Sequence, residues 1–290
     1  MNEERKKVVC FGEVLWDVYP EFKKLGGAPF NVAGHLRKLG FEVRMISRVG
    51  KDDLGKEILV EINVQNIPRD LIQVDLEYPT GIVNVKLDDE GKPTYEIVQP
   101  VAWDFIELDD RTRDHVREAD LFLFGTLACR HEKSRSSLLE LLDLNTSTVF
   151  DMNLRQHFFS QELITHLLKK TRILKLNDEE YDVLHRIFNV SRDNLYNFLK
   201  QRYEIQLIVQ TRGAEGAEVY DGEQVYQNSG YRIEVVDTVG SGDAFLAGFL
   251  TNLLSGNSIE ASLDFACRLG AYVATQPGAI LHMNWMICIQ

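Results

Sequence analysis

Short apolar runs alternate with amphipathic stretches from Ala119 onward, and this alternation limits the folds open to the chain. The apolar runs have the length of buried strands and cover 121–124, 148–151, 173–176 and 207–210. The stretches between them have helical periodicity and cover 134–144, 160–170, 178–188 and 192–203. Strands that alternate with helices form βαβ units, in which helices cover both faces of a parallel sheet. The sequence therefore predicts an α/β fold.

The first hundred residues combine two patterns. Apolar runs at 8–12 and 43–49 predict two more strands, with a helix over 30–39 between them and Gly40 as its stop signal. Two alternating runs, 80–87 and 94–98, flank a turn-rich segment at 88–91 and predict a β-hairpin. Because a hairpin fits poorly inside a parallel sheet, we expect a small β element at one end of the main sheet. Ligands bind at the end that carries the strand C-termini, so this element is expected to act as a lid.

The composition argues against some cellular locations and some binding partners. Of 290 residues, 44 are Asp or Glu and 32 are Lys or Arg, and the net charge of −12 argues against non-specific nucleic-acid binding. The longest nearly apolar stretch, 121–129, is far shorter than the ~20 residues that cross a bilayer, and no secretory signal is recognisable. We expect a cytoplasmic protein with reduced, mostly buried thiols at its four widely spaced cysteines, which are Cys10, Cys129, Cys267 and Cys288.

The segment Gly240, Ser241 and Gly242 precedes a run whose apolar residues recur at helical spacing up to Gly256. Its amides are expected at a helix N-terminus, which carries about half a positive charge and suits a phosphate or a developing phosphoryl charge. Asp243 falls in the first turn, where the helix dipole keeps its carboxylate ionised. An ordinary Gly-rich helix start has the same pattern, so the motif alone leaves both interpretations open. The chain contains no GxxxxGK[ST] segment, so a phosphate site here requires a different cradle.

A second pair of glycines, Gly26 and Gly27, precedes the helix predicted over 30–39. Glycines permit positive φ and the close approach of a ligand. Asn31 offers donors and an acceptor in the first helical turn, and Asp17 lies upstream. An Asp and an Asn can together hold adjacent sugar hydroxyls, while a hinge followed by a helix cap is the alternative.

Taken together, the two motifs resemble those of the ribokinase-like (PfkB) family of carbohydrate kinases. A di-Gly before NxAxxLxxLG near the N-terminus is followed, far along the chain, by DTxGxGDxF. The resemblance extends over 1–290 and implies a single ribokinase-like domain. That domain is expected to have a central, mostly parallel sheet flanked by helices, with a small β-sheet lid formed by segments near 14–25 and 78–104. The implied reaction is transfer of the γ-phosphoryl group of ATP to a sugar hydroxyl.

Two further segments resemble the nucleotide site of the family. The segment 175–180 looks like the NxxE motif that organises Mg²⁺ and its waters, which implies that Asn177 contacts the nucleotide and Glu180 holds Mg²⁺ through water. The segment 211–216 is similar to the TxGxxG loop, and the other residues implied at the nucleotide are Thr211, Gly213, Gly216, Gly242 and Gly278. Read alone, the first segment is an Asn cap before a solvated acidic turn, and the second is an ordinary β-turn.

The resemblance also implies catalytic and binding roles. Asp243 accepts the proton of the sugar hydroxyl, and a carboxylate with an unshifted pKa is sufficient for this step because positioning and electrostatics supply most of the rate. The amides of Gly240, Ser241 and Gly242 form the anion hole. Asp237 and Val239 are expected to bind a monovalent cation, K⁺ in many members of the family. The sugar is expected to contact Asp17, Gly27, Asn31, Arg155 and Asp243.

Three segments, 12–17, 100–104 and 151–155, look like the fructokinase branch and predict O6 of D-fructose as the acceptor. Met152 replaces the usual Pro and Ser241 the usual Ala, and neither change is expected to harm the site. Arg155 is expected near the phosphate or the sugar, with a surface salt bridge as the alternative. Ribose, 2-keto-3-deoxygluconate or a nucleoside remain alternative acceptors, and a non-catalytic sugar sensor is a different class. The expected partners are a sugar and ATP, and we expect binding neither to nucleic acid nor to a membrane. A homodimer through the lid is also expected. The last ten residues, 281–290, follow no recognisable pattern.

Overall fold

The structure is a computed structural model that describes residues 5–87 and 93–280. The hairpin turn predicted at 88–91, the segment 281–290 and Cys288 lie outside the described residues. The strands in chain order are β1 Lys7–Phe11, β2 Leu15–Val18, β3 Lys23–Gly26, β4 Glu42–Gly50, β5 Ile72–Asp75, β6 Ile82–Leu87, β7 Pro93–Ile97, β8 Leu121–Gly125, β9 Thr148–Asp151, β10 Ile173–Asn177, β11 Leu207–Thr211, β12 Ala217–Tyr220 and β13 Val225–Asn228. The helices are α1 Ala28–Lys38, α2 Asp53–Val64, α3 Asp110–Arg117, α4 Glu132–Leu141, α5 Gln161–Leu168, α6 Asp178–Phe188, α7 Leu195–Tyr203, α8 Ser241–Leu254 and α9 Ile259–Ala274.

Nine strands form the large sheet, in the order β13-β12-β11-β10-β9-β8-β1-β4-β5. The pairs from β11 to β5 are parallel, and only β12 and β13 are added antiparallel at one edge. The large sheet confirms the predicted α/β class with a central, mostly parallel sheet flanked by helices.

The strand sequences are apolar because both faces of the sheet are buried. Successive side chains of a strand point to opposite faces. In β1, Val8 and Cys10 pack into one core, and Val9 and Phe11 pack into the other. Such strands read as continuous apolar runs, which is why the sequence reveals them.

A small second sheet follows the carboxyl end of β1, with strand order β3-β2-β6-β7. The predicted hairpin is its antiparallel pair β6–β7. The pair β2–β3, in which Asp17 lies opposite Lys24, leads directly into α1. The predicted small β element is therefore present, and it includes a second hairpin that the sequence pattern did not reveal.

Several elements differ from the sequence-based prediction. The helix expected over 192–203 begins with a 3-10 turn, Arg192–Asn194, and becomes α-helical at Leu195. Helices α2, α3 and α9 and strands β5, β12 and β13 were not predicted. Helix α2 shows why, because it buries only Gly55, Ile58 and Ile62 while Val60 and Val64 are exposed, which blurs its apolar face.

Two expectations from composition can be compared with the structure. Cys10, Cys129 and Cys267 are free and buried, as expected. Within 5–87 and 93–280, no helix is long and apolar enough to cross a membrane.

Candidate active site

The predicted anion hole lies at the start of α8. Gly240 is the N-cap and has φ +79°, and a Cβ there would lie 2.6 Å from Cα of Ala279, so the turn requires glycine. The Ser241 amide donates to the Thr238 carbonyl oxygen at 3.2 Å, as does the Ser241 hydroxyl at 2.8 Å. The expectation that this amide is free is therefore wrong, because the turn before the helix uses it. Among the described residues, the amides of Gly240, Gly242 and Asp243 have no acceptor.

A hydrogen bond joins the two glycine motifs of the sequence. Asn31 Nδ2 donates to Asp243 Oδ2 at 2.8 Å, which links the first turns of α1 and α8. The Asn31 amide donates to the Gly27 carbonyl oxygen at 2.8 Å. Gly27, between β3 and α1, has φ +114°, and a Cβ there would lie 2.4 Å from the Glu13 carbonyl oxygen, so only glycine fits at this position. The fold thus places Gly27, Asn31 and Asp243 side by side.

The environment of Asp243 shifts its acidity. Burial, and then the neighbouring Asp151 carboxylate, raise the pKa of Asp243 to about 6, although Lys175, Asn31 and Arg155 lower it. The reaction would need only an unshifted carboxylate, whereas burial and the neighbouring Asp151 make this one a weaker acid. The carboxylate is still mostly ionised at pH 7, so it can accept a proton.

Acidic side chains surround the same point. Burial raises the pKa of Asp17 to about 6 and that of Glu13 to about 7. Glu13 is 2% exposed; its Oε1 accepts from the Ala28 amide at 3.3 Å, and its Oε2 has no hydrogen-bond partner. The exposed Arg155 interacts favourably with the carboxylates of Glu13, Asp17 and Asp243. It makes no ion pair within 4 Å in the part of the chain that the structure describes, so the alternative of a surface salt bridge gains no support.

Three of the charged residues at the site had no role in the prediction. Lys175 and Asp151 form a buried ion pair at 2.9 Å, and a Cβ at Gly242 would lie 3.5 Å from Lys175 Nζ. Glu13 is the third. The sequence did contain a signal for the ion pair, because Lys175 interrupts the apolar run that forms β10. A charge buried in a strand requires a partner of opposite charge.

Asn177 and Glu180 meet as a capping box at the start of α6. The Asn177 side chain accepts from the Glu180 amide at 2.9 Å, and Glu180 Oε2 accepts from the Asn177 amide at 2.8 Å. Glu180 Oε1 accepts from the Leu154 amide at 2.8 Å. The Asn cap is present, but the turn is not solvated at Glu180, which is 3% exposed.

A cleft of about 1250 Å³ opens beside the start of α8. Its wall contains most of the residues assigned to the nucleotide, namely Asn177, Thr211, Gly213, Gly216 and Gly242. Gly278 does not line this cleft, and its amide lies instead 3.4 Å from Asp237 Oδ2. Ile233, Val235 and Ala271 add an apolar surface of the kind that suits an aromatic base.

Asp237 and Val239, the residues expected to bind a monovalent cation, are joined by a hydrogen bond. The Val239 amide donates to Asp237 Oδ1 at 3.0 Å. However, Lys24 Nζ donates to Asp237 Oδ2 at 2.8 Å. An ammonium group therefore lies at the carboxylate where a monovalent cation was expected.

A mostly parallel α/β sheet, a buried carboxylate at a helix start with unpaired amides and a neighbouring cleft are features compatible with a small-molecule kinase. The chain matches the pfkB family of carbohydrate kinases over residues 5–286, and it belongs to that family. It is a carbohydrate kinase of the PfkB type.

Individual relatives agree with this assignment. A fructokinase of Escherichia coli is 30% identical over 295 residues, which cover 94% of this chain and 95% of the relative. The fructokinase of Xylella fastidiosa, solved with bound ATP, superposes with a TM-score of 0.85 at 23% identity over 96% of this chain and 94% of its own, which shows the shared fold. A fructokinase of Vibrio cholerae, solved with fructose, ADP and a calcium ion, is 25% identical with a TM-score of 0.81, over 95% of this chain and 94% of its own.

Proposed function

We propose that this kinase transfers the γ-phosphoryl group of ATP to O6 of D-fructose. The observation that carries the proposal is the Asn31–Asp243 hydrogen bond, which holds a sugar-binding amide against a carboxylate at an anion-binding helix start. The choice of fructose is supported by the similarity to the fructokinases of Escherichia coli and Vibrio cholerae.

Different residues of the site bind the sugar and accept its proton during phosphoryl transfer. Asp17, Gly27, Asn31 and Arg155 hold the sugar so that its hydroxyl faces Asp243. As the bond from O6 to the γ-phosphorus forms and the bond from that phosphorus to ADP breaks, the hydroxyl proton moves to the Asp243 carboxylate. Positioning and charge stabilisation supply most of the rate in such reactions.

The anion hole stabilises the charge on the transferred group. The Gly240, Gly242 and Asp243 amides have no acceptor among the described residues, and they lie at the positive end of α8. The adenosine part of ATP is assigned to the cleft between the TxGxxG-like loop at 211–216 and α9.

Magnesium is the divalent cation that we assign to the phosphates. The residues fit an ion held through water, because each Glu180 oxygen accepts only one N–H and the buried Asp151 Oδ2 has no partner. Glu180 and Asp151 would hold its waters, and the ion would neutralise charge on the phosphates.

The small sheet is assigned the role of a lid, built from segments near 14–25 and 78–104. Asp17, one of the proposed sugar ligands, lies on β2, so movement of this sheet would open the sugar site. Strands β3 and β7 form its edges, and we propose that a homodimer covers them. Light scattering after gel filtration tests this directly, because a monomer at micromolar concentration contradicts it.

The function is tested by ADP release from Mg-ATP with fructose, glucose, ribose, 2-keto-3-deoxygluconate and adenosine as acceptors. Fructose turnover that disappears in Asp243→Asn supports the reaction, the acceptor and the base. Faster turnover of another acceptor keeps the chemistry and rejects fructose. Sugar binding without any turnover rejects the kinase function in favour of a sugar sensor.

A further inference from the structure

Both oxygens of the Asp237 carboxylate accept hydrogen bonds from protein groups. Its Oδ2 accepts from Lys24 Nζ at 2.8 Å and from the Gly278 amide at 3.4 Å. Its Oδ1 accepts from the Val239 amide at 3.0 Å. The side chain of Asp237 is 18% exposed and that of Lys24 is 32% exposed, so the pair is partly shielded from solvent.

This carboxylate lies next to the anion hole. Asp237 and Val239 come just before Gly240, the N-cap of α8. The segment with Gly278 and Ala279 packs against the same turn, since a Cβ at Gly240 would lie 2.6 Å from Cα of Ala279. The Asp237 carboxylate therefore joins the two segments that shape the hole, and its charge is balanced by Lys24.

Lys24 is built into this position. It lies on β3 directly opposite Asp17 on β2, so both side chains project from the same face of the small sheet. Its ammonium lies 5.7 Å from the ring centroids of both Tyr19 and Phe22, close enough for cation–π attraction. The hydrogen bond to Asp237 raises the pKa of Lys24, so the group stays charged.

A monovalent cation beside Asp237 would meet the positive charge of Lys24. Potassium needs several oxygen atoms with free lone pairs, and the carboxylate would be its one charged ligand. The ammonium of Lys24 already neutralises this carboxylate from its Oδ2 side, and the Val239 amide donates to Oδ1. A bound K⁺ would have to displace the ammonium or lie beside a group of the same charge, which repels it.

We propose that the Lys24 ammonium takes the place of the monovalent cation at Asp237, so that this kinase works without K⁺. The same contact ties the small sheet to the turn before α8, which couples closure over the sugar to the shape of the anion hole. The activity part of this inference rests on the proposed function, whereas the binding part does not.

The test compares 100 mM KCl with 100 mM tetramethylammonium chloride for the unmodified protein, Lys24→Met, Lys24→Gln and the control Lys23→Met. Lys23 is the adjacent lysine on β3, and it pairs with Glu57. Thermal unfolding without substrates reports cation binding, and ADP release with Mg-ATP and sugar reports activity. The glutamine variant keeps a hydrogen-bond donor without the charge, and it replaces the methionine variant if that one does not fold.

The unmodified protein and Lys23→Met should unfold at the same temperature in both salts, and their activity should differ less than about twofold. Lys24→Met should unfold about 3 °C or more higher in KCl, because the released carboxylate binds K⁺. Its activity should fall about tenfold in tetramethylammonium and recover in KCl.

Two results would overturn the inference. The first is clear stabilisation or activation of the unmodified protein by K⁺, which means that a cation binds despite Lys24. The second is a folded Lys24→Met or Lys24→Gln variant whose unfolding temperature and rate of ADP release are the same with and without K⁺. That result would mean that Asp237 does not bind a cation. If no sugar gives ADP release, the proposed function fails, while the unfolding data still decide the role of Lys24.

Discussion

Lys175 and Asp151 lie opposite each other on neighbouring parallel strands, and their side chains form an ion pair of 2.9 Å in the interior. Their side chains are only 8% and 3% exposed. The pair lies beside Gly242 and acts on Asp243 in opposite senses, because Lys175 lowers the pKa of Asp243 and Asp151 raises it. The acidity of the proposed base is therefore set from two adjacent strands.

Replacing Lys175 should make the proposed base harder to ionise. Lys175→Met removes the positive charge that lowers the pKa of Asp243, so the acid limb of the pH–rate profile should move above about pH 6. Four other groups also act on Asp243, namely Asp151 on β9, Asn31 on α1, and Arg155 and Glu13 in loops. The measurement is kcat against pH, with the exposed Lys169→Met as control. An unchanged pH profile in a folded Lys175→Met variant would contradict this role. Asp151→Asn removes the carboxylate that raises the pKa of Asp243, so it should move the acid limb of the profile to lower pH.

Removing the base itself should affect turnover and spare binding. Asp243→Asn keeps the size of the side chain but cannot accept a proton at neutral pH, so kcat should fall at least ~10²-fold. Fructose affinity, measured by calorimetry, should change little, because Asp17, Gly27, Asn31 and Arg155 remain. Near-normal turnover in this variant would remove Asp243 from the mechanism.

Glu13 should make stability depend on pH. Its pKa is raised from 4.5 to about 7 by burial, so its contribution is fully present below about pH 4.5 and is lost as the pH rises through about 7. Glu13→Gln should therefore raise the free energy of unfolding at pH 8 relative to pH 5, by up to about 3 kcal/mol. Urea unfolding at the two pH values measures the difference. An effect of Glu13→Gln that is equal at both pH values would show that Glu13 does not titrate in this range.

Two glycines with nearly the same backbone angle provide a matched pair at the anion hole. Gly240 has φ +79° and Gly256 has φ +80°, but a Cβ at Gly240 would collide with Ala279, whereas nothing lies within 4 Å of a Cβ at Gly256. Gly256→Ala should cost about 1 kcal/mol through backbone strain alone. Gly240→Ala should in addition displace the turn and lower kcat at least ~10-fold. Equal turnover in the two variants, measured by ADP release, would mean that the turn tolerates the collision.

The sequence by itself determined the α/β class and the position of the main motifs. Strands such as β1 and β10 are buried on both faces, so their apolar runs are visible without any knowledge of the fold. The glycines at 27 and 240 and the residues Asn31 and Asp243 are also local signals, because each lies at the start of a helix.

Tertiary structure alone decided which charges meet. Asp243 lies far along the chain from Asn31, and Asp237 lies equally far from Lys24, yet each pair is joined at 2.8 Å. The sequence does not show which individual residues are buried. Glu180, expected in a solvated turn, is in the interior, and burial raises the pKa of Asp243. The physical reason is that electrostatic interactions depend on distance in space and on exclusion of water, and both are set only when the strands and helices pack.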